Sequence, residues 1–167
     1  MANSAEATVK KSNPIARPTP AFDEFRRELN EGSPTSGYDW TTWKERSCDW
    51  IASHIPAGKR VVDVGGTEYL CQKLAEKGCE TTYYDFFPPR EFPDFIVDDM
   101  FNVLEHFGQQ SLDVITTRHA LEHSLVPLFQ LWAYNRLLKD DGRLIVIVPA
   151  YNQKWLCCVI ELGGFLA

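Results

Sequence analysis

The chain has 167 residues, 44% of them apolar, with a formal charge of −6 and a pI near 5.2. That is room for one domain with a real core, which excludes disorder throughout; the acidic balance disfavours a nucleic-acid groove, which usually carries a basic patch. The cysteines (Cys48, Cys71, Cys79, Cys157, Cys158) are odd in number and lack C-x-x-C spacing, so they read as reduced thiols rather than a disulfide framework or zinc knuckle.

Residues 1–20 carry Pro14, Pro18 and Pro20 among small and charged residues and read as a flexible leader. They hold no apolar signal segment, and no apolar run in the chain reaches the roughly 18 residues of a membrane span. The expectation is a cytoplasmic protein without membrane attachment. Residues 21–58 read as N-terminal helices: a short amphipathic run over Ala21–Asn30, closed by Gly32, then a longer one from Tyr38 to Ile55. In the second, Trp40, Trp43, Trp50, Ile51 and His54 fall mostly on one face. Such a stripe is either an aromatic lid over a ligand mouth or, more commonly, ordinary core.

Residues 59–167 alternate strand and helix. The β-rich runs predict strands over Arg60–Val64, Glu80–Asp85, Asp94–Asp98, Leu112–Thr117 and Arg143–Val148. Helices are predicted over Thr67–Lys77, Phe101–Phe107 and Val126–Lys139, the last with Pro127 in its first turn, where a missing N–H costs nothing. Asp140-Asp141-Gly142 reads as the turn into the fifth strand. This alternation implies an α/β fold, a Rossmann-like three-layer αβα sandwich with a mainly parallel sheet. Right-handed crossovers place the C-terminal strand ends on one rim, where such sheets bind ligands.

Along that rim, Gly65 and Gly66 let the backbone come close to a ligand, and the N–H groups opening the next helix favour anionic oxygen. Asp85 tips the second strand, where it can accept both hydroxyls of a ribose; the plain alternative is a tight turn beside a solvated carboxylate. Asp98, Asp99 and Met100 end the third strand. A carboxylate there either accepts from an adenine amino group, with Met100 against the base, or caps the helix that follows.

Taken in order, Val61-Val-Asp-Val-Gly-Gly-Thr67, Tyr84-Asp85, Val97-Asp-Asp99, Asp113-Val-Ile-Thr-Thr-Arg-His-Ala-Leu-Glu-His123 and Leu137-Leu-Lys-Asp-Asp-Gly-Arg-Leu-Ile-Val-Ile-Val-Pro149 resemble the class I S-adenosylmethionine-dependent methyltransferases. The resemblance covers about residues 59–149. It implies S-adenosyl-L-methionine as cofactor, with Asp63, Gly65 and Gly66 around its amino-acid moiety, Asp85 at the ribose, Asp98 or Asp99 with Met100 at the adenine, and Phe86 and Thr117 as further cofactor-binding residues. His119 and Glu122 would face the methyl end, where His119 is a candidate general base; otherwise they satisfy backbone groups at a crowded strand–helix junction. No metal is implied. The run His119-x-x-Glu122-His123 also satisfies an inverted zincin pattern, but it lacks a third ligand and the larger framework.

The sequence departs from the family in two places. Thr67 and Tyr69 stand where the first motif usually has its second and third glycines, and only 18 residues follow Pro149. The family's sixth and seventh strands are therefore expected to be absent or replaced, leaving a sheet edge open to self-association or a partner chain. No Asn/Asp-Pro-Pro-Tyr/Phe or Pro-Cys follows the fourth strand, which disfavours amino-group methylation of adenine or glutamine and cytosine-C5 chemistry. By elimination the acceptor is a small-molecule or glycan-like hydroxyl, with Tyr151 on the substrate side. The alternative is a shortened, non-catalytic fold that binds cofactor or another protein.

Overall fold

The computed structural model describes residues 40–149 and 157–163. The leader, the helix over Ala21–Asn30 and Tyr151 lie outside these residues, as do the side chains of Trp40 and Trp43. In chain order the elements are α1 (Trp40–His54), β1 (Arg60–Val64), α2 (Glu68–Glu76), β2 (Glu80–Asp85), β3 (Phe95–Val97), a 3-10 turn (Met100–Asn102), α3 (Val103–His106), β4 (Leu112–Arg118), a 3-10 turn (Leu121–His123), α4 (Pro127–Leu137), β5 (Leu138–Pro149) and β6 (Cys157–Gly163). They build one sheet in the order β3-β2-β1-β4-β5-β6. Strands β1 to β5 run parallel, as the alternation predicts, and β6 lies antiparallel to β5 from Arg143↔Gly163 to Pro149↔Cys157. Among the described residues β6 is the one strand that follows β5. The edge of β5 that was expected to be open is paired along this stretch.

The period-2 pattern of the strands sorts side chains onto two faces. Val61, Val114, Ile145 and Ile147 pack with Cys48, Trp50 and Ile51 of α1 and with Leu70 and Leu74 of α2. Val62, Val64, Ile115, Leu144 and Val146 pack with Val103 of α3 and with Ala133, Tyr134 and Leu137 of α4. Trp50 is therefore core, the commoner reading of the aromatic stripe. Both faces are apolar because both are covered.

One element differs from expectation. Leu138 takes an extended conformation and pairs with Leu112, so α4 ends two residues before the predicted Lys139. The register shifts before pairing resumes at Val114↔Arg143. Asp140–Gly142, expected as a turn into the fifth strand, lies within β5 as a bulge in its pairing with β4, where a Cβ on Gly142 would sit 2.9 Å from the Lys139 carbonyl.

The two rims of the sheet do different work. At the N-terminal rim the Asp113 carboxylate accepts from the Arg60 N–H (3.0 Å) and pairs with Lys59 (3.2 Å) and Lys139 (3.0 Å). Burial opposes ionisation there, but these contacts outweigh it and hold the Asp113 pKa down at about 2. At the opposite rim Val64, Asp85, Val97 and Arg118 end their strands side by side. No helix among the described residues is long and apolar enough to cross a membrane.

Candidate active site

The glycine turn after β1 is built by packing against two neighbouring strands. Gly65 has φ +78°, and a Cβ there would lie 2.3 Å from the Cβ of Ala120. Gly66 lies on the ring of Tyr83, 2.4 Å from where its Cβ would be. The Gly65 and Gly66 N–H groups both donate to the Tyr84 carbonyl (2.9 and 3.2 Å), and the Thr67 N–H donates to Asp63 Oδ2 (2.7 Å). The loop's own donors are thus committed inside the protein. This differs from the expectation that Gly65 and Gly66 open the backbone to a ligand.

Asp63 is fully buried, and its other oxygen accepts from Thr116 Oγ1 at 2.6 Å. Burial raises its pKa to about 6, while the hydrogen bonds from Thr116 and Thr67 and the charge of Arg118 limit the rise. Asp63 therefore holds the loop from behind and presents no surface of its own. Thr117 is likewise buried, on the α4 face of the sheet beside Tyr134, rather than on the rim surface. These are corrections to the direct contacts expected of both residues.

Four of the residues assigned to the cofactor stand accessible. Asp85 is half-buried at the tip of β2; its Oδ1 accepts from the Phe87 N–H (3.0 Å), which fixes the carboxylate and leaves Oδ2 for another donor. Phe86 is 64% exposed beside it. Asp99 is exposed, with Oδ1 accepting from the Phe101 N–H at 3.0 Å. Met100 follows it, half-buried. Asp98 is otherwise occupied: it accepts from the Asp99 N–H (2.7 Å), Asn102 Nδ2 (2.9 Å) and His106 Nε2 (2.7 Å), and His106 is the main reason its pKa is lowered. Asp99 is thus the N-cap of the 3-10 turn through Oδ1, the plainer of the two alternatives at this tip, and its Oδ2 is left to offer, while Asp98 braces Asn102 and His106.

The segment after β4 is not a helix. His119 has φ +54°, an uncommon conformation for a residue with a side chain, and its N–H donates to the Ile147 carbonyl of β5 at 2.8 Å. The 3-10 turn that follows carries Glu122, whose Oε1 lies 3.3 Å from His119 Nδ1. The helical face that the zincin pattern requires is thus not formed. Burial lowers the His119 pKa against the pull of Glu122, so the imidazole is neutral near pH 7. A carboxylate at Nδ1 favours the tautomer whose lone pair is on Nε2.

Two participants were not singled out from the sequence. Glu68 opens α2, and its Oε1 accepts from the N–H groups of Glu91 (2.6 Å) and Phe92 (3.3 Å), tying the loop after β2 to the glycine turn. Arg118, the last residue of β4, is only 8% exposed, and its Nη2 donates to Thr67 Oγ1 at 3.1 Å. Strand parity carries a signal for it: Arg118 shares the face of Thr116, which bonds Asp63.

The arrangement is a parallel-sheet rim with a tight glycine turn, a fixed carboxylate on β2 and a histidine–glutamate pair after β4. A family model for a methyltransferase domain matches residues 38–161, and the chain belongs to that family. Among solved structures, an S-adenosylmethionine-dependent methyltransferase from Archaeoglobus fulgidus superposes with a TM-score of 0.54 at 17% identity, over 68% of this chain and 60% of that one. Another from Mesorhizobium loti gives 0.50 at 19% identity, over 60% and 52%. The chain spans little more than half the length of these relatives, and at such identities the likeness is one of fold. No curated protein matches the chain. The domain is a Rossmann-like class I methyltransferase fold, for which S-adenosylmethionine is the expected cofactor.

Proposed function

We propose that this domain transfers a methyl group from S-adenosylmethionine to a hydroxyl of a small-molecule or glycan-like acceptor, with His119 as general base. The observation that carries the reading is the His119–Glu122 pair, held in a strained backbone at the rim beside the glycine turn. The residues present suit the cofactor: Asp85 Oδ2 for the ribose hydroxyls, exposed Phe86 with Met100 for the base, and Asp99 for its amino group. When bound, S-adenosylmethionine supplies an electrophilic methyl carbon on a positively charged sulfur. The protein's task is then to align the acceptor, exclude water and take one proton. His119 receives that proton at Nε2, and Glu122 stabilises the imidazolium through Nδ1. Lowered by burial, the base is ready at neutral pH and is lost only as the medium turns acidic.

The acidic chain and the missing amino- and cytosine-methylating motifs support the choice of acceptor. Formation of S-adenosylhomocysteine over a panel of sugars and phenols tests it. With the acceptor found, His119→Ala is expected to lower kcat about ten- to a thousandfold while leaving cofactor affinity within about twofold. Full turnover by that variant would contradict the role of His119. Silence across the panel from a protein that binds S-adenosylhomocysteine would favour the non-catalytic alternative.

A further inference from the structure

Arg118 is a buried cation whose protein partners do not balance it. Its guanidinium carries five N–H donors, yet Nη2 to Thr67 Oγ1 is its one hydrogen bond among the described residues, and Nε is buried with no acceptor. Asp63 lies close enough to feel its charge, but the oxygens of Asp63 are taken by Thr67 and Thr116. Burying a charge in this way is costly unless another group neutralises it.

The neighbouring helix start shows the same pattern. Thr67 is the N-cap of α2, a position from which a threonine hydroxyl usually accepts from the first-turn N–H groups. Here it makes no such bond and accepts from Arg118 instead. With the Gly65, Gly66 and Thr67 N–H groups committed inward, the glycine loop has none of its own donors left for an anion. The uncapped first-turn N–H groups of α2 are left at this corner, and Arg118, the residue before His119, adds the buried, unfilled donors of its guanidinium.

From this we infer that Arg118, seated on Thr67, binds the α-carboxylate of the amino-acid moiety of S-adenosylmethionine, taking over the role that glycine-loop N–H groups cannot fill in this chain. The inference rests on the cofactor reading above and deepens it. It explains the threonine at a glycine position: the hydroxyl orients the guanidinium, and a glycine would leave it loose. Arginine suits the task because its planar fork matches a carboxylate with two parallel bonds, which lysine cannot reproduce.

The test is calorimetric titration of the full 167-residue chain with S-adenosylhomocysteine and with its decarboxylated analogue, which keeps the adenosine, thioether and amine. The wild type is expected to prefer the carboxylate-bearing ligand about ten- to a hundredfold. Arg118→Met should bind both ligands alike, at the wild type's affinity for the analogue. Arg118→Lys should keep part of the preference. Asp85→Ala should weaken both ligands equally and leave the preference intact. A wild type that binds both ligands alike overturns the inference without any variant. So does an Arg118→Met protein that weakens both equally and still prefers the carboxylate, because Arg118 would then be only a scaffold for the loop. A folded wild type that binds neither ligand refutes the cofactor reading itself.

Discussion

At Gly66 the ring of Tyr83 lies where a side chain would begin, and at Gly65 the same is true of Ala120. Both glycines are visible in the sequence as a turn at the end of a strand. The atoms that demand them come from β2 and from the segment after β4, and no local pattern announces those. Gly66→Ala is expected to destabilise the fold by about 1–3 kcal/mol through overpacking, read as a lower urea midpoint at unchanged m-value. Gly65→Ala adds the strain of a positive φ to its own clash and should cost more. Wild-type stability in Gly66→Ala would show that Tyr83 yields easily and that the turn is looser than described. At His119 the sequence offers the residue and its acidic neighbour but not the backbone twist that places them. Because burial holds its pKa below the ordinary histidine value, methyl transfer should be flat through neutral pH and decline only on the acid side of the ordinary histidine range. A decline centred well above pH 7 would point to another base.

β4 shows how much one element does. Asp113 starts it on the rim away from the site, and Thr116, Thr117 and Arg118 end it at the site. The strand itself is legible from its β-branched run. The register shift between Leu112 and Val114 is not, because it arises from pairing with β5, whose early start at Leu138 competes with the end of α4. Asp113 is held below the ordinary carboxylate range by Arg60, Lys139 and Lys59, so its folded pKa is depressed. Its stabilising effect is complete above the unfolded value near pH 4 and is lost as pH falls through about 2. Asp113→Asn should therefore lower stability at pH 7 by about 1–3 kcal/mol and flatten the acid limb of the stability profile between pH 4 and 2. An unchanged acid limb would show that the Arg60 N–H and the two lysines do not hold Asp113 ionised. Stability belongs to this rim, so the variant should leave ligand affinity unchanged.

For the molecule as a whole, the order of strands and helices is readable because alternation and right-handed crossovers leave few topologies. The antiparallel pairing of β6 was not, since nothing in Cys157–Gly163 states which edge it joins. The site divides in the same way. The residues at strand tips are visible as residue types in known places, and Asp85, Phe86, Asp99 and Met100 stand accessible there. Which groups are already committed is a matter of tertiary contact: Asp63 to the loop, Asp98 to His106 and its turn, Thr117 to the α4 side. On the proposed reading, this rim grips the cofactor through Asp85. Calorimetric binding of S-adenosylhomocysteine to the wild type and to Asp85→Ala decides whether it does. The predicted result is micromolar binding by the wild type and a loss of roughly a hundredfold in a variant that unfolds at a similar temperature. Equal binding by both proteins, or none by a folded wild type, would contradict it.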